Sequence, residues 1–524
     1  MTAASPHIIS TPVRYHEDAS GLFAHVGGTA ATDTLLLESA DITTRSGVNS
    51  VAVLSASLRV TCTGRTVTVE PLTESGVIFA ADLADRLSDY AVGENTYEFP
   101  VSTKIDERER LTDVSSVAVL RALTTEAAYR AENDALPMLV GGIAYDYLET
   151  FEELPAVQPS ANTYPDYQFL LAEVVLSIDH QTATARLDAV DAVDAGSGVA
   201  EKVRALAATI ESVETADFDK HPSVDKHDGE LEVTADIPDE EYRAQVENLK
   251  GNIYNGDIYQ VVPARTFTAQ CPDAFAAYRR LREINPSPYM FYTRGLDVNG
   301  EVYELFGASP ESNLKFDAET RRIEMYPIAG TRPRGMNPDG TINDELDIRM
   351  ELELRTDAKE IAEHTMLVDL ARNDLARVAV PGTRRVADLL QVDRYSRVMH
   401  LVSRVTAQLH PDLDALDAYR ACMNMGTLTG APKLKAMELL RGAEKRRRGS
   451  YGGAIGYLKG TGDMDTCIVI RSAYVSGGVA AVQAGAGVVR DSNPQAEADE
   501  TLHKAYAALN ALALAQGKDL KVVR

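Results

Sequence analysis

Hydrophobic positions alternate with polar ones over 51–60 and again over 61–69, with Gly64 near the turn. This period of two predicts a β-hairpin. The run TLLLESAD at 34–41 is apolar and then acidic, as for a strand entering a loop. FLLAEVVLSI at 169–178 predicts a buried strand, LVGGIAYDY at 139–147 a strand broken by two glycines, and 117–131 a helix. In the second half, Pro238 opens a helix with Asp239, Glu240 and Glu241 in its first turn. Tyr242, Val246, Leu249 and Ile253 form its apolar stripe, and Gly256 its stop. Strands are predicted at 257–266, 302–307, 322–328, 450–458, 466–475 and 479–489, and mostly helical stretches at 344–378 and 494–516. Strands and helices come in runs rather than in strict alternation, which predicts α+β with large antiparallel sheets. The polar, turn-rich stretch 181–230 marks a change of character. It places a linker at 216–237, between an N-terminal region 1–215 and a second region 238–516, with 517–524 as a tail.

At 524 residues the chain is too long for one ordinary domain. The formal net charge of -26 disfavours nucleic acid or an anionic membrane as a partner, so the sequence predicts neither. An anionic small substrate would then need local cations or a metal. No run of 18 apolar residues exists to span a membrane, and MTAASPHIISTPVRYHEDAS at the start has no signal-peptide pattern. Cys62, Cys271, Cys422 and Cys467 are scattered with no CxxC pair, which predicts reduced thiols in the cytoplasm and no zinc site. Tryptophan is absent from the chain.

Candidate chemistry centres on AGAGVVRDSNPQAEADET at 484–501. A small-residue turn, Ala484 to Gly487, lets a ligand approach the backbone. Asn493 then reads as an N-cap, Pro494 as the first helical residue, and Glu497 and Glu500 as carboxylates on one helix face, with Lys504 one turn on. Glu360 and Glu363 repeat the i,i+3 spacing in KEIAEHTM. Four carboxylates on two helices suit Mg²⁺ rather than zinc, although a solvated acidic face is the commoner fate of such residues. The neighbouring His364 also allows a carboxylate di-iron bundle, which would require a four-helix core. Glu311 in GASPES is a candidate general acid or a helix-start acid. YPIAGTRPRG at 326–335 gathers Gly330, Thr331, Arg332 and Arg334 as a carboxylate-binding turn or an exposed basic loop. His400, in an apolar stretch, is a core histidine or a catalyst. Lys433 and Lys435 in GTLTGAPKLK face an anion or simply enter a helix, and the spacing is wrong for a P-loop. KRRR at 445–448 reads as a solvated turn. NPSPYMFY at 285–292 suits a rigid pocket for a flat ligand or a packed loop.

Together these segments, in order from DIYQVVPAR at 257–265 to the 484–501 stretch, resemble the chorismate-utilising enzymes, most closely the anthranilate synthase large subunits. The likeness covers about 237–516, and LLLESAD extends it toward the N-terminus. The resemblance implies two large antiparallel sheets sandwiched by helices, with an N-terminal regulatory part. It implies that chorismate and ammonia become anthranilate and pyruvate, with Mg²⁺ at Glu363 and Glu500, and Glu360 and Glu497 beside them. Gly330, Thr331, Tyr451, Arg471, Gly485, Ala486, Gly487 and Lys504 would hold the substrate, Glu311 would be the acid, and His400 and Thr427 helpers in elimination. L-Tryptophan would inhibit through Glu38, Ser39, Pro288, Tyr289 and Met290, although ITTRSGVNS at 42–50, with Arg45, departs from the pattern. No G-x-C-x-G surrounds any cysteine, so a separate glutamine amidotransferase subunit is implied as the ammonia source. Ala329 stands where aminodeoxychorismate synthases often have a nucleophilic lysine, and Gln260 where water-adding relatives have a lysine base. The alternatives are an aminodeoxychorismate synthase without that lysine, or a catalytically silent tryptophan-binding regulatory protein.

Overall fold

Two long strands, Gly47–Thr63 and Tyr167–Asp179, hold the architecture together. They pair antiparallel from Asn49 opposite Asp179 to Cys62 opposite Tyr167, with register shifts between Val53 and Leu58. Bulges bend a strand pair and increase its twist, and here the bend lets one pair serve two sheets. The computed structural model describes residues 6–41, 47–129, 134–192, 198–214, 218, 229–337, 341–395 and 398–524.

On one side of the bend, Gly47–Thr63 pairs with Thr34–Ala40, and that strand with Tyr289–Leu296. The sheet continues antiparallel through Val302–Ser309, Ser472–Ser476, Val479–Gly485 and Ala264–Gln270. On the other side, Tyr167–Asp179 pairs with Met138–Ile143. A second antiparallel sheet follows through Ala454–Lys459, Met464–Ile468, Ser312–Asp317, Arg322–Met325 and Val398–Gln408. Alternation along Tyr289–Leu296 sorts the faces. Met290 and Tyr292 join a core with the helices Ala274–Ile284 and Pro494–Ala515, while Tyr289 and Phe291 join the core of the second sheet. The sheets meet where the Tyr289 hydroxyl donates to Asp465, at 3.1 Å. The α+β class with large antiparallel sheets is therefore the observed one. Each sheet joins a block of strands from before 216–237 to a block from after it, at Thr34–Ala40 with Tyr289–Leu296 in one and at Met138–Ile143 with Ala454–Lys459 in the other. Most of that linker lies outside the described residues, but its end forms the strand Glu230–Ala235, which pairs in parallel with Asp519–Val523 from the expected tail. No helix among the described residues is long and apolar enough to cross a membrane.

Several elements depart from their expected lengths, for local reasons. The run at 466–475 is not one strand. It breaks between Ile468 and Ser472, where Arg471 takes a left-handed conformation at φ 52°. The run at 257–266 breaks at Val262 and Pro263, leaving Gln260–Val261 to pair with Gly430–Ala431. The helix at 117–131 stops at Leu123. The stretch 344–378 divides at Asp357, whose carboxylate accepts the N–H groups of Lys359 and Glu360 and so caps the second helix. KRRR is not a solvated turn. Arg448 is buried, donating to the carbonyls of Leu428 and Val262 and to Glu444, and Arg447 donates to Asp166 and Glu149.

Gly141 and Gly456 face one another across neighbouring strands. A methyl group on Gly456 would lie 2.1 Å from the Asp465 carbonyl oxygen, so no side chain fits without moving the backbone. Gly456→Ala is expected to destabilise the protein by about 2–3 kcal/mol, seen as a lower urea midpoint with an unchanged slope.

Candidate active site

Two helices carry the four carboxylates. Asn493 caps Pro494–Ala515 through the N–H groups of Gln495 and Ala496, as the sequence predicts. Glu497 is buried and Glu500 is partly exposed. Lys504 donates to Glu500 at 2.7 Å and to the Gly485 carbonyl at 3.0 Å, tying the helix to the small-residue turn. The second helix, Ala358–Ala376, presents Glu360 and Glu363. Arg332 donates to Glu360 at 3.0 Å. One buried oxygen of Glu363 has no hydrogen-bond partner among the described residues, and Lys359 is 3.7 Å away.

The electrostatics show that the helices face each other. Burial raises the Glu363 pKa to about 7, with Lys359 opposing and Glu360, Glu500 and Glu497 adding to the rise. Burial also raises Glu497, against the hydrogen bond from Ser492. Glu500 is lowered, because Lys504, Lys359 and Arg471 outweigh its burial. Lys359 is raised, because the four glutamates outweigh its burial. Among the described residues, no three acidic, histidine or cysteine side chains already stand close enough to chelate a metal. The donor set nevertheless suits a hard divalent cation: all the ligand atoms are oxygens, negative charge is in excess, and one buried carboxylate oxygen is unsatisfied. A di-iron bundle is not what this is. His364 is buried against Ser403 Oγ, 2.7 Å from Nε2, and packs on a sheet rather than in a four-helix core.

Beside this cluster lies Glu311, in the tight connection between Val302–Ser309 and Ser312–Asp317. Its carboxyl is buried and accepts the Thr427 hydroxyl at 3.1 Å. Burial raises its pKa to about 8, over the opposing effects of Thr427, the Ile328 N–H, Arg471 and Lys504. Burial lowers the pKa of Arg471, although Tyr451, Glu500 and Glu311 act to raise it. That set of neighbours makes Arg471 the meeting point of acid, carboxylate helix and tyrosine. His400, on Val398–Gln408, has Nδ1 2.9 Å from Thr331 Oγ1 and 3.4 Å from the Gly330 carbonyl, with Tyr395 edge-on to its ring. Burial, then Arg471, lowers its pKa to about 4. A proton on Nδ1 serves both contacts, with the Gly330 carbonyl and the Thr331 hydroxyl accepting, and leaves Nε2 as the basic nitrogen.

Two glycine turns close the site. Gly330 has φ 80°, and a methyl group there would sit 3.1 Å from a Glu360 oxygen. A methyl group on Gly485 would meet the Pro263 carbonyl at 2.8 Å and the Tyr451 hydroxyl at 3.2 Å. The N–H groups of Ala486 and Val488 are already donated to Pro263 and Val261, and that of Gly487 has no such backbone acceptor among the described residues. Other expectations fail on geometry. Arg332 and Arg334 form no free cradle: Arg332 pairs with Asp357 and Glu360, and Arg334 with Asp347. Lys433 faces no anionic ligand, being bound to Asp374 and the Cys422 carbonyl.

A separate cavity of about 720 Å³ lies between the sheets, lined by Glu38, Ser39, Pro288, Tyr289 and Met290. The Glu38 carboxylate itself turns toward the helix Ala274–Ile284, accepting from Tyr278 at 2.5 Å and Arg282 at 3.1 Å. Arg45 lies outside the described residues.

Residues 86–510 match the family of chorismate binding enzymes. This chain belongs to that family. This chorismate binding enzyme is 48% identical over 527 residues to the anthranilate synthase component 1 of Vibrio cholerae serotype O1, across 98% of this chain and 97% of that one. The protein of the same name from Escherichia coli K12 is 47% identical, across 96% of each. The crystal structure of anthranilate synthase component I from Streptococcus pneumoniae TIGR4 superposes with a TM-score of 0.69 at 27% identity, covering 88% of this chain and 92% of that one.

In this chorismate binding enzyme, reading the sequence left out two residues of the site. Lys359 lies among all four glutamates, and its position one turn before Glu363 was the available signal. Tyr395, against His400, had none. Glu311 is protonated below about pH 8 and loses that proton as the pH rises through it. Chorismate turnover is therefore expected to fall above pH 8. Glu311→Gln should lower the rate by about 10²–10⁴ and remove that alkaline limb from the pH–rate profile.

Proposed function

We propose that this chain converts chorismate and ammonia to anthranilate and pyruvate, as the chorismate-handling component of an anthranilate synthase and a Mg²⁺-dependent lyase. Ammonia would come from glutamine through a partner amidotransferase subunit, L-tryptophan would inhibit, and the reaction would run in the cytoplasm. One observation carries the reading. A buried carboxyl that keeps its proton to about pH 8 stands beside an arginine and a cluster of four carboxylates, one of whose buried oxygens is without a partner among the described residues. That is the combination needed to expel a ring hydroxyl from a dianion. The chain is also similar over nearly its whole length to proteins named anthranilate synthase component 1.

When bound, Mg²⁺ would supply positive charge to the substrate's ring carboxylate, and Glu363 and Glu500 would hold it, with Glu360 and Glu497 beside or behind them. The protein's own groups do the rest. Arg471, the Tyr451 hydroxyl, Thr331 and the Gly487 N–H hold substrate carboxylates, and Gly330, Gly485 and Ala486 give the backbone close approach. Lys504 balances Glu500 while fixing the turn. Thr427 occupies one oxygen of Glu311, leaving the other to carry the proton to the departing C4 hydroxyl as ammonia adds. His400, neutral and free at Nε2, takes a proton as pyruvate is eliminated and the ring becomes aromatic. Ala329 and Gln260 fit the choice of nucleophile, since ammonia needs neither a covalent lysine adduct nor a base to activate water. The cavity between the sheets would take the inhibitor.

The purified chain, given chorismate, ammonium and Mg²⁺, is expected to release fluorescent anthranilate, while glutamine alone gives none without the partner subunit. Accumulation of an unreleased amino intermediate would instead mark an aminodeoxychorismate synthase, and tryptophan binding without turnover a regulatory protein. Glu500→Gln should remove Mg²⁺-dependent turnover with an unchanged circular dichroism spectrum. Ser39→Phe should leave the enzyme active in the presence of tryptophan, read as a rightward shift of the inhibition curve.

A further inference from the structure

Among the described residues, the inter-sheet cavity has one cation to spare. The strand Ala454–Lys459 sends alternate residues to it: Ile455, Tyr457 and Lys459. Its partner strand places Asp465 directly opposite Tyr457. Apart from Asp134, the other charged groups lining the cavity are engaged. Glu38 is held by Tyr278 and Arg282, Arg186 by Asp188 at 2.7 Å, Asp465 by Tyr289 with Lys315 3.7 Å away, and Asp179 by the N–H groups of Gln181 and Thr182. Lys459 alone among the lining cations has no carboxylate partner among the described residues. Its ammonium lies over the ring of Tyr457, 5.3 Å from the centroid. An aromatic face steadies a cation without neutralising it, so the charge is kept and aimed along a wall of the cavity.

We propose that Lys459 binds the carboxylate of a zwitterionic amino-acid effector in this cavity. The proposal rests on the reading of the cavity as the tryptophan site. A carboxylate that leaves water for a cavity between two sheets needs an opposite charge or several N–H donors. Asp465, with the Tyr289 hydroxyl, then faces the effector's ammonium from the same wall, and the flat side chain lies against Tyr457 and Pro288. The two ends of the zwitterion are thus read by neighbouring strands of one sheet.

The chain has no tryptophan, so fluorescence excited beyond the tyrosine band comes from an indole ligand alone. Titrations of the full chain with L-tryptophan and with tryptamine, which lacks the carboxylate, test the assignment. Lys459→Gln is expected to weaken tryptophan roughly tenfold or more and to leave tryptamine within about twofold, while Lys459→Arg keeps most of the tryptophan affinity. If Lys459→Gln binds tryptophan as the native chain does while Ser39→Phe loses it, the lysine assignment is overturned and the cavity reading stands. Equal weakening of tryptophan and tryptamine would also overturn it, as a disturbance of the wall. If the native chain binds no tryptophan, the reading of the cavity fails and the lysine assignment falls with it.

Discussion

Mutual repulsion among four carboxylates is the constraint around which the catalytic side is built. Glu360, Glu363, Glu497 and Glu500 would separate if their helices were free to slide. The helices are not free. Asp357 and Asn493 fix where each one starts, and Lys504 bonds its helix to the Gly485 turn. Arg332 and Lys359 offset part of the charge without filling the site. What remains is a shortage of positive charge, held in place by the scaffold. In the proposed function that shortage is what would draw in a cation and, through it, an anionic substrate to an otherwise acidic protein.

The same low dielectric sets two titratable groups to opposite tasks. Burial keeps a proton on Glu311 and keeps one off His400, and Arg471 stands close enough to influence both. One environment thus keeps Glu311 protonated near neutrality, where its ordinary value would leave it ionised, and keeps His400 fully neutral, where its ordinary value would leave it part charged.

Much of this was legible in the sequence, for reasons that vary by element. Helix starts were, because Asn493–Pro494 and Pro238 with its acidic turn are local signals that need no tertiary context. The carboxylate pairs were, because i,i+3 spacing fixes a shared face. Strand ends at the site were not. The break at Arg471 depends on a left-handed residue that no local signal marks, and the burial of Arg448 depends on carbonyls of Leu428 and Val262 brought together only by the fold. Arg332 and Arg334 misled for the same reason, since their partners, the cap Asp357 and the helical Asp347, are brought to them by helix packing that the sequence does not display. The extent of each sheet was also beyond local reading, because pairing across 216–237 leaves no mark in either strand.

That pairing has an outcome during synthesis. Thr34–Ala40 has Tyr289–Leu296 for a neighbour, and Met138–Ile143 has Ala454–Lys459. Early strands therefore emerge from the ribosome with open edges whose partners are still hundreds of residues from being made. Folding waits on the last third of the message, and the nascent chain spends that interval as a template for wrong pairing. That long interval of unpaired edges is built into the way the bent strand pair shares itself between two sheets.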